Sequence, residues 1–297
     1  MDRDILAKIF EKLTVIDVTM GASRVCISWF LVSHQKSLWK TIDLAYLQLV
    51  DFNHPRLKNS QLDVKIIEGI LYNPRDILTE ITKLSSTVPT SLFFNFCFCV
   101  EDEDLIIAAE RMPNIETFAL PKWGKLSEDS YRFVFSQWKN LHTLIISLEF
   151  YLNKRIKFQL IGENCINLTN LKLSGYVDEH VAMKLVLYLP KLKRLSMRCS
   201  TIENIKIISF HITSGLQNLA ILNLSHCCFI DSVTDPIFFG RVLEDSLIKT
   251  FTQKIDTFIM CSKVSCLVCK DQCGPGLTKI AFYKKHWRND EIKELEF

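Results

Sequence analysis

Residues 168–173 read LTNLKL and residues 192–197 read LKRLSM. Both hexapeptides carry apolar residues at the first, fourth and sixth positions. The same spacing begins at Pro89, Ile115, Leu141 and Leu219. The six copies are separated by steps of 26, 26, 27, 24 and 27 residues, a regularity that indicates one structural unit repeated along the chain.

This hexapeptide and its period are typical of the strand in a leucine-rich repeat. Cys97, Cys165 and Cys227 stand where the repeat signature expects Cys or Asn. Stretches with helical spacing follow the hexapeptides, and Pro113 and Pro190 end two of them. Because a strand with three inward residues cannot bury its apolar side alone, neighbouring units must stack. The sequence therefore predicts an α/β fold, a curved solenoid with a parallel sheet inside and helices outside.

The outward positions of these strands predict a cationic surface on the concave face. Lys172 would lie beside Arg194 and Arg198, with polar side chains around them. Three cations fixed on a rigid sheet suit an acidic or phosphorylated segment of a target protein, whereas the simpler alternative is a solvated face that keeps the sheet soluble. The candidate target-binding residues are Lys172, Arg194, Arg198, Asn170, Ser196 and Asn223.

Composition narrows the class of protein. The chain has 297 residues, 48% of them hydrophobic, and a net charge of +3, which argues against nucleic-acid binding through bulk electrostatics. No apolar run approaches the roughly 18 residues that span a bilayer, and the start lacks a basic, apolar secretory signal. We therefore expect no membrane partner, reduced cysteines, and a location in the nucleus, the cytoplasm or both.

The first 44 residues carry a different, helical pattern. Ile5, Leu6, Ile9, Phe10 and Leu13 form one apolar stripe, which taken alone is compatible with the core of a small bundle. The ordered series Asp-Ile-Leu, Ile-Phe, Leu, Val-Cys, Trp and Leu-Trp, however, resembles the three-helix F-box. Together with Cys-containing repeats it resembles the plant F-box/LRR-repeat family over essentially the whole chain. Similar phrases occur at 108–111, 188–192 and 195–201.

The resemblance implies a function. F-box proteins of this kind are substrate-recognition subunits of SCF-type E3 ubiquitin ligases; they bind a Skp-type adaptor, and through it a cullin, and are not enzymes. It implies no cofactor. The residues that it places on or behind the adaptor interface are Ile5, Leu6, Ile9, Phe10, Leu13, Val25, Cys26 and Trp29.

One departure from the F-box pattern leaves an alternative open. F-boxes usually open with Leu-Pro before the acidic residue, whereas Met1 and Asp2 hold those positions here, so the motif is expected to be shortened. The alternative is therefore a leucine-rich-repeat interaction scaffold whose truncated F-box is non-functional.

Four segments follow from these patterns. We predict an F-box at 1–44, a helical linker and N-terminal cap of the repeats at 45–84, about six repeats at 85–230, and a helical and irregular C-terminal cap at 231–297. Asp235 and Pro236 predict the start of a helix that reaches about Met260.

The C-terminal cap contains four closely spaced cysteines. Cys261, Cys266, Cys269 and Cys273 follow a Cys-x4-Cys-x2-Cys-x3-Cys spacing, which suits tetrahedral zinc and in part a plant-type iron–sulfur cluster. Paired Cys-x2-Cys knuckles and a ferredoxin-like body are missing, so the sequence favours reduced, metal-free cysteines over either metal. His226 beside Cys227 suggests no catalytic pair, since Cys227 fills a structural repeat position.

Overall fold

A computed structural model describes residues 2–44, 74–95, 100–120, 126–148, 157–230, 243–262, 265–272 and 285–297. The chain divides into two compact units. The N-terminal unit comprises Met1–Ile115 and Lys125–Gln137, and the C-terminal unit comprises Glu116–Gly124 and Trp138–Phe297. Among the residues described, no helix combines the length and the apolar character needed to cross a membrane.

The N-terminal unit begins with a small helical module. Asp2 starts the first helix by accepting a hydrogen bond from the Asp4 backbone amide at 3.1 Å. The indole of Trp39 donates to the Ser33 carbonyl at 2.5 Å, which ties the end of the module to its second helix. The elements are α1 (Arg3–Phe10), a π-helical turn (Asp17–Gly21), a 3₁₀ turn (Ala22–Arg24), α2 (Ile27–Ser33), a second 3₁₀ turn (Lys36–Trp39) and strand β1 (Thr41–Asp43).

The rest of this unit has the repeat pattern. Strand β1 pairs in parallel with the first hexapeptide strand, with Ile42 opposite Leu92, so the last residues of the predicted F-box segment already join a repeat-type sheet. A reciprocal capping box between Glu101 and Asp104 starts the helix after it. The elements are α3 (Pro74–Ser85), β2 (Ser91–Phe93), α4 (Asp102–Arg111) and α5 (Glu128–Gln137). Most of the predicted linker, including the junction at Asn73, lies outside the described residues.

The C-terminal unit is a parallel sheet with a helix after most strands. Its main sheet has the order β3-β4-β5-β6-β8-β10, and the register places Leu171 opposite Leu144 and Leu195. The elements are β3 (Thr117–Leu120), β4 (Thr143–Leu148), α6 (Phe158–Asn164), β5 (Asn170–Val177), α7 (Glu179–Tyr188), β6 (Arg194–Ser196), β7 (Thr201–Glu203), α8 (Ile205–Gly215), β8 (Ile221–Asn223), β9 (Cys228–Ile230), α9 (Asp245–Lys254), β10 (Thr257–Ile259) and α10 (Leu267–Gln272).

The inward apolar positions of the hexapeptides form the core, as predicted. Leu171 and Leu195 are fully buried, and so are their equivalents in the other repeats. Two consensus cysteines, Cys165 and Cys227, are buried as well. Burial raises the pKa of the Cys165 thiol to about 12, which suits an inert structural residue. The leucine-rich-repeat fold, with its parallel sheet and surrounding helices, is confirmed.

Strand β5 continues past the main sheet into a second, shorter one. Its first residues pair with β4 and β6, and Tyr176 and Val177 then pair with β7, which pairs with β9. Gly175 lies at the change of partner with φ +130°, and a Cβ there would lie 2.0 Å from the Leu148 carbonyl oxygen. Only glycine tolerates both the backbone angle and the close approach.

The predicted C-terminal boundary of one helix is wrong. The helix expected to reach about Met260 stops at Lys254, and Thr257–Ile259 form strand β10, which pairs in parallel with β8. The ring of Phe258 stacks on Phe251 at a centroid distance of 4.9 Å, so burial against the sheet outweighs the helical pattern. Asp235 and Pro236, the predicted start of this helix, lie outside the described residues.

Candidate functional site

The N-terminal module exposes large apolar side chains on α1 and α2, which contact each other, and on the chain between these two helices. Ile27 is 79% exposed, Val25 is 61% exposed and Ile5 is 55% exposed. We call the exposed apolar residues of this module the apolar face. Its members are Ile5, Ile9, Leu13, Val25, Ile27, Phe30 and Leu31.

The structure separates the predicted adaptor-binding residues into two groups. Leu6 and Phe10 are buried and form the core of the module, so they do not lie on its surface. Trp29 is half-buried and packs its ring edge-to-face on Phe10 at 5.4 Å. The exposed members of the predicted set are Ile5, Ile9, Leu13, Val25 and Cys26.

Sequence reasoning missed three members of the apolar face. Ile27, Phe30 and Leu31 follow one another at helical i, i+3 and i+4 positions on α2 and are all exposed. The spacing was visible in the sequence. The spacing alone does not show which side of so short a helix packs inward. In the structure, Val32 and Ser33 are the buried residues of α2.

The predicted cationic surface is occupied by the chain's own C-terminal segment, residues 285–297. Lys172 on β5 forms an ion pair with Asp290, Nζ to Oδ2 3.1 Å, and both side chains are almost completely buried, at 1% and 0% exposure. The ammonium group also donates to the carbonyl of Asn289 at 2.7 Å and to that of Leu295 at 3.4 Å. Burial lowers the pKa of Lys172, and Asp290 opposes that shift.

The two arginines bind the same segment. Arg198 donates from Nε to both carboxylate oxygens of Glu291 at 3.1 Å and from a terminal nitrogen to the His286 carbonyl at 3.1 Å. Arg194 pairs with Glu294 at 3.2 Å in a more open position, where the side chains are 31% and 49% exposed. Acidic residues of the segment therefore meet all three predicted cations.

The polar residues of the predicted set complete this contact. Ser196 donates to Asp290 at 2.7 Å, and the Asn223 amide donates to Asp290 at 2.9 Å and to Glu291 at 2.6 Å. Asn170 is connected to the segment through Arg194, from which it accepts a hydrogen bond at 3.3 Å.

Burial and several polar contacts act in opposite directions on the pKa of Glu291. Burial alone would raise the pKa of its carboxyl, but hydrogen bonds from His226 and Asn223 and the Arg198 guanidinium outweigh burial and hold the pKa below its ordinary value. Glu291 is therefore an ionised anchor of the segment at neutral pH.

These contacts bear on the predicted target-binding residues, whose binding to a target stays a prediction. The expected partner chemistry, an acidic segment on a cationic sheet surface, is present, but the segment belongs to the same chain. Lys172, Arg198, Asn170, Ser196 and Asn223 are buried beneath it and Arg194 is partly covered, so in this state the set offers no open surface to a target. Trp287, Ile292 and Leu295 are buried too and anchor the segment.

The C-terminal cysteines lie at the end of the same sheet. Cys261 follows β10, while Cys266 and Cys269 lie at the beginning of α10, and Cys273 is outside the described residues. His226, in the turn between β8 and β9, comes within hydrogen-bond distance of Cys266 and Cys269. Sequence spacing identified three members of this cluster and missed the histidine.

The fold defines a leucine-rich-repeat protein whose N-terminal helical module exposes large apolar side chains. No protein-family model matches the chain. The chain is 44% identical to the Arabidopsis thaliana protein named "Putative F-box protein At4g11580", with 100% of this chain and 95% of that protein aligned. It is 29% identical to the F-box/LRR-repeat protein At3g48880 of Arabidopsis thaliana, across 99% of this chain and 94% of the relative.

The chain therefore belongs to the F-box/LRR-repeat family of plant proteins. Among solved structures, the leucine-rich repeat-containing protein LegL7 of Legionella pneumophila is 10% identical, with 74% of this chain and 88% of that chain superposed at a TM-score of 0.36. The superposition is too poor to add to the evidence from the sheet itself.

Proposed function

We propose that this protein is the substrate-recognition subunit of an SCF-type E3 ubiquitin ligase. In this role the N-terminal module binds a Skp-type adaptor, the adaptor binds a cullin, and the leucine-rich repeats bind a target protein. The chain performs no chemistry of its own. It raises the effective concentration of a target lysine near a ubiquitin-conjugating enzyme carried by other subunits.

The apolar face is the observation that carries this proposal. Seven large apolar side chains stay exposed on a module whose own core is already filled by Leu6, Phe10 and Trp39. Fully burying an exposed Ile, Leu or Phe side chain is worth about 1.5–3 kcal/mol. These side chains are 38–79% exposed, so a partner that covers several of them would gain part of that value from each. Membership of the F-box family supports a Skp-type adaptor as that partner.

The proposed target site is the cationic surface of the repeat sheet. Binding of an acidic target by Lys172, Arg194 and Arg198 stays a prediction, and it now requires the C-terminal segment to leave the sheet. We place the protein in the nucleus or cytoplasm, where its thiols remain reduced.

The competing proposal is a repeat scaffold whose F-box does not engage an adaptor. It predicts the same fold and the same repeats but no adaptor complex. The apolar face favours the receptor, because a module without a partner would gain solubility from polar residues at these positions.

A pull-down with a Skp-type adaptor separates the two proposals. The full chain should retain the adaptor, and the double variant Ile5→Glu/Ile27→Glu should lose it, because two buried charges would face the partner. Leu187→Glu on α7, where Leu187 is also highly exposed, is the matched control and should bind like the original chain. No retention by the original chain would favour the scaffold, and retention by the double variant would contradict the assignment of the apolar face to the adaptor.

A further inference from the structure

Four ligand-type side chains converge at the end of the repeat sheet. They come from three separate segments: His226 from the turn between β8 and β9, Cys261 from the chain after β10, and Cys266 and Cys269 from the beginning of α10. One ligand atom from each residue lies within 4.8 Å of all the others.

The separations between these atoms suit a tetrahedral metal ion. Zn–S bonds of about 2.3 Å and Zn–N bonds of about 2.0–2.1 Å at tetrahedral angles place neighbouring ligand atoms roughly 3.6–3.8 Å apart. The Sγ atoms of Cys261 and Cys269 are 3.5 Å apart, and His226 Nδ1 is 3.2 Å from Cys266 Sγ and 3.5 Å from Cys269 Sγ. These three pairs need a change of only a few tenths of an ångström to reach that geometry, and the other three pairs lie within 4.8 Å.

The outer contacts of His226 suit a metal ligand as well. Its Nδ1 atom faces the cysteines, while its Nε2 atom lies 3.2 Å from Glu291 Oε1, the carboxylate–histidine arrangement that orients imidazole ligands in metal sites. Its backbone amide donates to Cys261 Sγ at 3.2 Å.

Packing alone does not account for this cluster. The buried consensus cysteines Cys165 and Cys227 lie at separate repeat positions and behave as small hydrophobes. In contrast, Cys261 and Cys266 are only half-buried, yet their sulfur atoms point with Cys269 and His226 at one place. Three thiols and an imidazole aimed at a common point are the donor set of a Cys₃His site.

We propose that His226, Cys261, Cys266 and Cys269 bind one Zn²⁺ ion as a closed, structural site. Three soft sulfur ligands and one imidazole select zinc over oxygen-preferring cations such as Mg²⁺. All four positions of a tetrahedral ion are filled by protein side chains, which leaves no open coordination position for catalysis. This differs from the sequence-based set in one ligand, with His226 in the place of Cys273.

The site would lock the end of the C-terminal unit. The ion joins the β8–β9 turn, the chain after β10 and the beginning of α10. Through Glu291 the same histidine reaches the C-terminal segment, which Arg198 and Asn223 hold on the sheet. The proposed zinc therefore couples the last repeats to the segment that covers the cationic surface.

Metal analysis of the full chain, purified under reducing conditions and reconstituted with Zn²⁺, tests the site. The original chain and Cys165→Ala should hold about one zinc ion per chain, while Cys261→Ser and Cys266→Ser should lose most of it. His226→Cys should retain zinc as a Cys₄ site, and His226→Ala should not. Iron in place of zinc, no stoichiometric metal, or full zinc retention by a folded Cys266→Ser chain would overturn the proposal.

If the cysteine variants fail to fold, absorption spectra of the original chain with bound Co²⁺ test the metal site instead. Bound Co²⁺ should show thiolate-to-metal charge transfer and the intense d–d bands of a tetrahedral ion. A weak octahedral spectrum, or a disulfide between Cys261 and Cys269 in the chain as isolated from cells, would overturn the site. Adaptor binding is measured in a separate experiment, so absence of a zinc site would not contradict the proposed function.

Discussion

For Lys172, the sequence predicts the position of the side chain but not the residues that it contacts. Its outward position on β5 and its acidic partner chemistry follow from the hexapeptide pattern. The identity of the partner does not, because Asn289 and Asp290 lie some 117 residues further along the chain, and no local signal connects the two segments.

Burial distinguishes the ion pairs on this surface. Asp290→Ala leaves the buried Lys172 ammonium without a carboxylate, and we expect it to lower the free energy of unfolding by about 3–5 kcal/mol. Glu294→Ala removes the partner of the more exposed Arg194 and should cost only about 0–1 kcal/mol. Urea unfolding of the two variants measures the difference, and equal costs would contradict the buried pairing.

His226 is a second residue whose partners the sequence does not reveal. The spacing of Cys261, Cys266 and Cys269 makes metal ligands an alternative in the sequence, which on balance favours metal-free cysteines. His226 lies 35 residues before Cys261, and it reaches the cluster only because β10 pairs with β8. Long-range strand pairing of this kind has no local sequence signature.

Among the elements, strands with a clear hexapeptide were predictable and isolated three-residue strands were not. The repeats at Leu168 and Leu192 give β5 and β6 directly. Strands β1 and β10 are too short to show a period of their own, and their neighbours have helical patterns. They become strands because each adds a parallel partner to an existing sheet edge.

The turn of β5 between its two sheets depends on one glycine. Gly175→Ala should be destabilised by roughly 1–3 kcal/mol, since an alanine is strained at this φ and its Cβ meets the Leu148 carbonyl. Gly21→Ala is the control, because a Cβ there has no atom within 4 Å. Thermal melting followed by circular dichroism compares them, and a Gly175→Ala variant as stable as the control would disprove the strain.

At the scale of the whole molecule, the family and the fold were both readable from sequence, and the target surface was not. Repeat spacing and the F-box-like series each have a local signature. Which outward residues remain accessible depends on where the C-terminal segment lies, and only the folded structure provides that information.

Removing the C-terminal segment should expose the cationic surface. Deletion of residues 286–297 takes away Asp290, Glu291 and three apolar anchors, so we expect a lower melting temperature with unchanged adaptor binding. A synthetic peptide of residues 285–297 should bind the shortened chain and restore part of the loss. The same peptide with Asp290 and Glu291 replaced by Ala is the control.

Equal binding of both peptides, or a melting temperature that does not change on deletion, would contradict the docked position of the segment. Preferential binding of the acidic peptide would also show that the sheet can accept an acidic segment supplied from outside the chain.

The most direct measurement for the receptor proposal is a calorimetric titration of the full chain with a Skp-type adaptor. We expect one adaptor per chain and at least about tenfold weaker binding for Phe30→Glu/Leu31→Glu, since about 1.4 kcal/mol already corresponds to that factor. Leu187→Glu should leave the affinity unchanged. No binding by the original chain, or equal affinity for the α2 variant, would contradict the assignment of the apolar face to the adaptor.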